Sequence, residues 1–157
     1  MTVYSGTYQA PEAGGRGAFR DPLAEARDKL RQAARLPFHA ARPNSWQESF
    51  RQLTRDARAD VRRHIWMASL PDSPLRMAER AEPRLGARIR QEREDHDLFA
   101  ERLDELLEAA DGPAPDIWKM IELGEQAILL EMALARHHNR LSQLLHESTH
   151  QDIGVAG

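Results

Sequence analysis

Residues 85–107 read LGARIRQEREDHDLFAERLDELL. Traced at alternating steps of four and three, Leu85, Ile89, Glu92, His96, Phe99, Leu103 and Leu106 fall on one face of an α-helix, the spacing of a helix that packs against other helices. Five of these seven are apolar, and the two in the middle are a carboxylate and an imidazole. Ionisable groups on an inward stripe cost free energy unless something satisfies them. The reading of the whole chain turns on what Glu92 and His96 meet.

On either side of this stretch the chain divides into further helices. Residues 1–20 are small, polar and rich in Gly and Pro, which predicts a flexible N-terminal arm. Asp21 and Pro22 form an N-cap and first-turn pair that opens a first helix, which carries Leu23, Leu30, Ala33 and Ala34 and ends at Pro37. Ser45 and Glu48 match a capping box at the start of a second helix, whose inner stripe is Trp46, Phe50, Leu53, Ala57 and His64, flanked by Val61 and Ile65. PDSP (71–74) breaks the chain, and Ser73-Pro74 starts a short helical turn. Pro83 begins the long third helix, and Asp111-Gly112 closes it. A fourth helix runs from near Pro115-Asp116 to about His150, with Leu123, Leu130, Leu134, His137, Leu141 and Leu144 inward. Residues 151–157 form a short tail. Four helices with short breaks and no strand-like alternation predict an all-α domain at 21–150, an up-down-up-down antiparallel four-helix bundle.

Composition narrows the classes of function. The 157 residues fit one domain, with 41% hydrophobic and 30% charged residues. The 22 basic residues are interspersed with 25 acidic ones for a net charge of −3, so nucleic acid is not an expected partner. No apolar run approaches the roughly 18 residues that span a bilayer, and the first residues lack the basic-then-apolar order of a secretory signal. A cytoplasmic location is the expectation. With no cysteine there is no thiolate ligand or cysteine nucleophile.

Three helices each carry an inward histidine: His64, His96 and His137. Bundle interiors build metal sites from facing side chains, commonly glutamate and histidine. Glu92 and His96 are four apart and reach toward one point, and Glu131 is a further carboxylate on the fourth helix. The candidate metal ligands are therefore His64, Glu92, His96 and His137. The alternative is that Glu92 and His96 pair with arginines, or with each other, and fix the register of the helices.

Residues 83–107 (PRLGARIRQEREDHDLFAERLDELL) and 134–154 (LARHHNRLSQLLHESTHQDIG) resemble hemerythrin-like (HHE cation-binding) domains. The resemblance covers the second to fourth helices. It implies an up-down four-helix bundle with a non-haem di-iron centre, linked to sensing or handling of iron, oxygen or nitric oxide. By it His64, His96 and His137 (or His138) match the histidines of the second, third and fourth helices. The pattern departs elsewhere: Ala68 stands four residues after His64, Ala100 four after His96, and Leu141 and Ser142 follow His137 where carboxylates are expected. The first helix offers only Glu25 or Asp28. These departures turn the expectation to a mononuclear iron or zinc site, or to a bundle that has lost its metal.

Residues 146–150, HESTH, match the zincin pattern, with two histidines a turn apart and a glutamate base. Only seven residues follow, too few for the usual third ligand, so a solvated helix end is the expectation and a zinc hydrolase the remote alternative. The sequence supports three readings. The first is a non-catalytic metal-binding bundle and the second a metal-free interaction module. In the second, Trp66, Met67 and Trp118 are candidate contacts for a homodimer. The third is the hydrolase.

Overall fold

A computed structural model describes residues 20–150, and among them every regular element is helical. The elements are α1 (Pro22–Ala34), α2 (Pro43–Ser69), α3 (Pro74–Ala81), a 3-10 turn at Pro83–Leu85, α4 (Gly86–Ala109) and α5 (Ile117–His150). The expected arm at 1–20, apart from Arg20, and the expected tail at 151–157 lie outside the described residues.

Local chemistry explains most of the boundaries. Asp21 caps α1, its Oδ1 accepting from the Leu23 amide at 3.0 Å. Ser73 Oγ accepts from the Arg76 amide to open α3, and Asp116 Oδ1 accepts from the Lys119 amide at 2.8 Å in the first turn of α5. Gly112 takes φ +93°, the left-handed conformation that turns the chain after α4. The capping box expected at Ser45 does not start α2. The helix begins two residues earlier at Pro43, whose fixed φ suits the first helical position, and Arg42 precedes it without a side-chain cap. The first helix also stops at Ala34, before Pro37, because the residues preceding a proline are pushed out of helical geometry.

The four long helices pack as a ring of neighbours, α1 against α2 and α5, and α4 against α2 and α5. Polar rungs join them. Gln47 donates to the Ala110 carbonyl and Arg58 to Asp104, linking α2 to α4. Arg27 and Arg31 of α1 both donate to Glu131 of α5, and Lys29 pairs with Asp60 of α2. Arg88 of α4 donates to Glu147 of α5 at 2.6 Å.

Two apolar clusters fill the interior. The larger includes Leu23, Leu30, Phe50, Val61, Phe99, Leu103, Leu123 and Leu134, and the smaller is Leu75, Ala78, Leu85, Ile89 and Leu144. On α4 the stretch between the clusters holds Glu92 and His96; on α5 it holds His137. All seven residues of the α4 stripe are buried, with Glu92 only 3% exposed and His96 5%. A polar layer thus crosses an otherwise apolar interior, and the site is built there.

Candidate metal centre

α2 delivers His64, α4 delivers His96 and α5 delivers His137 to that layer, because each sits on its helix's apolar face. His96 is central. Its Nε2 lies 3.1 Å from His64 Nε2 and 3.0 Å from His137 Nε2. The three nitrogens lie within 4.8 Å of one another. The rings meet edge to face, and Phe99 packs against the His137 ring at a centroid distance of 5.2 Å. His137 is fully buried and His64 half-buried.

The arrangement has a specific electronic consequence. A neutral imidazole Nε2 either carries a proton and donates, or has a lone pair and accepts. His96 Nε2 faces two other Nε2 atoms, so at most one of the two short contacts is a full hydrogen bond. The other is at best a shared, three-centre contact with the same proton or lone pair. Protonating the rings does not relieve this. Burial, with His96 and His138 adding repulsion, pushes His64 down to about 3. Burial and then His96, His64, Arg140 and His138 push His137 down to about 2. Burial also lowers His96, against the opposing pull of Asp97 and Asp95. At neutral pH the layer therefore presents neutral imidazoles, the form that binds metal.

Glu92 lies behind this cluster. Its Oε2 is 2.7 Å from His137 Nδ1, the nitrogen facing away from the other histidines, while its Oε1 accepts from Arg140 Nε at 2.9 Å. Arg140 also donates to Asp95 Oδ2 at 2.5 Å, and Asp95 Oδ2 is 3.8 Å from His137 Nδ1. Burial raises the Glu92 carboxyl above the usual range, and the hydrogen bond from Arg140 works against that rise. Two groups of candidate ligands thus share His137: the three histidines on its Nε2 side, and Glu92 with Asp95 behind it. Arg140 places its positive charge against both of those carboxylates.

Of the four residues expected as ligands, the three histidines converge and Glu92 stands at one remove. The other carboxylates considered from sequence are engaged elsewhere: Glu131 with Arg27 and Arg31, Asp28 with Arg31, and Glu25 with Arg20. His138 pairs with Asp21 at 3.2 Å, so His137 is the histidine of that doublet that enters the layer. Sequence reading missed Arg140 and Asp95. The only signal for them was their spacing, with Arg140 three residues after His137 and Asp95 three after Glu92, one turn on along the same faces.

At the end of α5 the HESTH residues form no comparable site. His146 and His150 are exposed, with ring centroids 3.7 Å apart. Glu147 is held by Arg88, and His150 Nδ1 lies 3.1 Å from the His146 carbonyl. Among the described residues no third ligand joins them.

A cleft of about 260 Å³ between α2, α3 and α4 opens beside the cluster, with Ile65, Ala68, Leu75, Arg76, Arg93 and His96 among its lining residues. Arg93 is held at its edge by two hydrogen bonds to Glu79. No described helix is long and apolar enough to cross a membrane. Comparison of the chain with protein-family models, with curated protein sequences and with solved structures found no match.

Proposed function

We propose that this chain is a hemerythrin-like antiparallel four-helix bundle that binds one transition-metal ion, iron or zinc, between His64, His96 and His137. The observation that carries the reading is the convergence of three Nε2 atoms, those of His96 and His137 buried and that of His64 half-buried, at spacings that the one proton or lone pair on His96 cannot fully satisfy for both partners. Nitrogens about 2.0–2.1 Å from one ion, at angles between a right angle and the tetrahedral value, stand roughly 2.9–3.4 Å apart. The two spacings to His96, 3.0 and 3.1 Å, agree with that range, and the His64 and His137 nitrogens lie within 4.8 Å of each other. Neutral imidazole suits iron and zinc alike. The up-down topology is supported by the rungs: Gln47 to Ala110 and His64 to His96 on one side, Arg88 to Glu147 and His96 to His137 on another, run in opposite numerical order.

Three protein ligands leave coordination positions open, and the cleft beside His96 is the route by which a small molecule would reach them. Sensing or handling of iron, or of a diatomic gas at the ion, is the role this supports, and the resemblance to hemerythrin-like domains points the same way. The proposed role is non-catalytic. Thermal unfolding of metal-stripped protein tests the binding. Excess zinc should raise Tm, since a ligand at a hundredfold excess over its Kd stabilises by about 2.7 kcal/mol. His96→Ala should abolish the rise. An equal rise in that variant would place the metal elsewhere, and no rise in the parent protein would remove the reading.

One observation favours the second reading, a homodimer. Trp118, Ile128, Leu129 and Met132 are 75%, 46%, 63% and 47% exposed along the outer side of α5. Glu125 near the middle of that stripe and Arg136 beyond it have no ion-pair partner among the described residues, so two copies pairing α5 head to tail would bring opposite charges together. Sedimentation of the full chain should then show a dimer that L129E dissociates; a monomer at micromolar concentration would dismiss it.

A further inference from the structure

We propose that Glu92, held in place by Arg140, is the positioning residue of the histidine cluster: it keeps the proton of His137 on Nδ1 and so leaves the Nε2 lone pair directed at His96 and His64. This rests on reading the cluster as a metal centre. The geometry leaves Glu92 little else to do. Its Oε1 is occupied by Arg140 Nε, and Arg140 is anchored in turn by Asp95. Only Oε2 remains, and it stands 2.7 Å from His137 Nδ1. Both of these atoms are buried and have no other partner. The pair is within ion-pair distance but not aligned as an ideal hydrogen bond.

A neutral imidazole has a single ring proton to place. On Nδ1 it meets a carboxylate oxygen and leaves Nε2 bare. On Nε2 it would leave the Nδ1 lone pair against that oxygen, with nothing between two buried acceptors. The carboxylate therefore selects one tautomer, and it selects the one that can ligate through Nε2. No carboxylate stands within ion-pair distance of a ring nitrogen of His64 or His96 among the described residues, so the control is exerted at His137 alone. The edge of Phe99 against the same ring limits its rotation.

A merely structural role, pinning α4 to α5, would be shared by Glu147, which Arg88 bonds across the same two helices. The tautomer separates the two accounts. In the full chain, metal-free and labelled with 15N at histidine, two-bond proton–nitrogen correlation spectra at neutral pH should show His137 with Nδ1 protonated and Nε2 bare. E92L should move the proton to Nε2 or mix the two forms, while E147Q should leave it in place. In a cobalt(II) titration, E92L should bind roughly 10- to 100-fold more weakly than the parent, the usual loss when a partner behind a ligating histidine is removed. E147Q should bind like the parent. An Nε2-protonated His137 in the parent protein overturns the proposal whether or not E92L folds, and so does an unchanged tautomer in a folded E92L. If the parent protein shows the Nδ1 tautomer and E92L loses it, the positioning role stands. A failure of the parent to take up cobalt would then count against the metal reading alone.

Discussion

At the scale of single residues, His96 is central because its Nε2 lies within hydrogen-bond distance of both other histidines. Burial has already removed most of the proton affinity of His64 and His137. That depression has a thermodynamic consequence that can be read without any metal. Below the ordinary imidazole value of 6.5, the unfolded chain takes up protons at these two positions that the folded chain refuses until about 3 and about 2. Stability rises with pH wherever the unfolded state binds more protons, so it must fall as pH drops below 6.5, by at most about 1.4 kcal/mol per pH unit for each group. Glu92 works the other way, since its raised carboxyl takes up a proton in the folded state first. The urea midpoint of metal-free protein should therefore decrease from pH 7 to pH 5, and His64→Gln should flatten the decrease. A midpoint that held constant or rose over that interval would mean that the cluster is not buried as described.

At the scale of helices, the rungs and the core make separate demands. Phe50 is fully buried in the larger cluster, and Phe50→Ala should cost about 3–5 kcal/mol in chemical denaturation. Glu131 accepts from two arginines of α1 while itself mostly buried, so Glu131→Ala should cost on the order of 1–2 kcal/mol by leaving those charges without a partner. Its removal should not alter metal content. Gly124 behaves differently. It lies inside α5, and a Cβ there would meet the Ala34 carbonyl oxygen at 3.6 Å, an ordinary contact. Gly124→Ala should therefore raise stability by roughly 0.5–1 kcal/mol through helix propensity, whereas a loss would show that α1 approaches more tightly than its backbone suggests.

At the scale of the whole molecule, the α4 stripe was legible because its period and its burial coincide at every position from Leu85 to Leu106. The inward histidines were legible for the same reason, since a polar residue in an apolar period is visible in sequence. The start of α2 was not, because a capping box and a first-turn proline compete two residues apart and the proline prevailed. The place of Glu92 was not legible either. Spacing of four shows that it shares a face with His96, but not that the ring it meets belongs to α5. Arg140 was hidden by its type, since an arginine on a long helix reads as solvent-facing until its carboxylate partners are seen. Taken together, a largely apolar interior is crossed by a layer of three neutral imidazoles whose ring nitrogens converge on His96.

The claim that a cation belongs at that point is tested most directly by metal content. Tag-free protein, stripped, reloaded with iron(II) or zinc(II) and desalted, should retain about one ion per chain by elemental analysis. His96→Ala and His137→Ala should retain none, while Glu147→Ala, at the HESTH end, should retain as much as the parent. A parent protein that keeps no metal, or histidine variants that keep as much as the parent, would contradict the account.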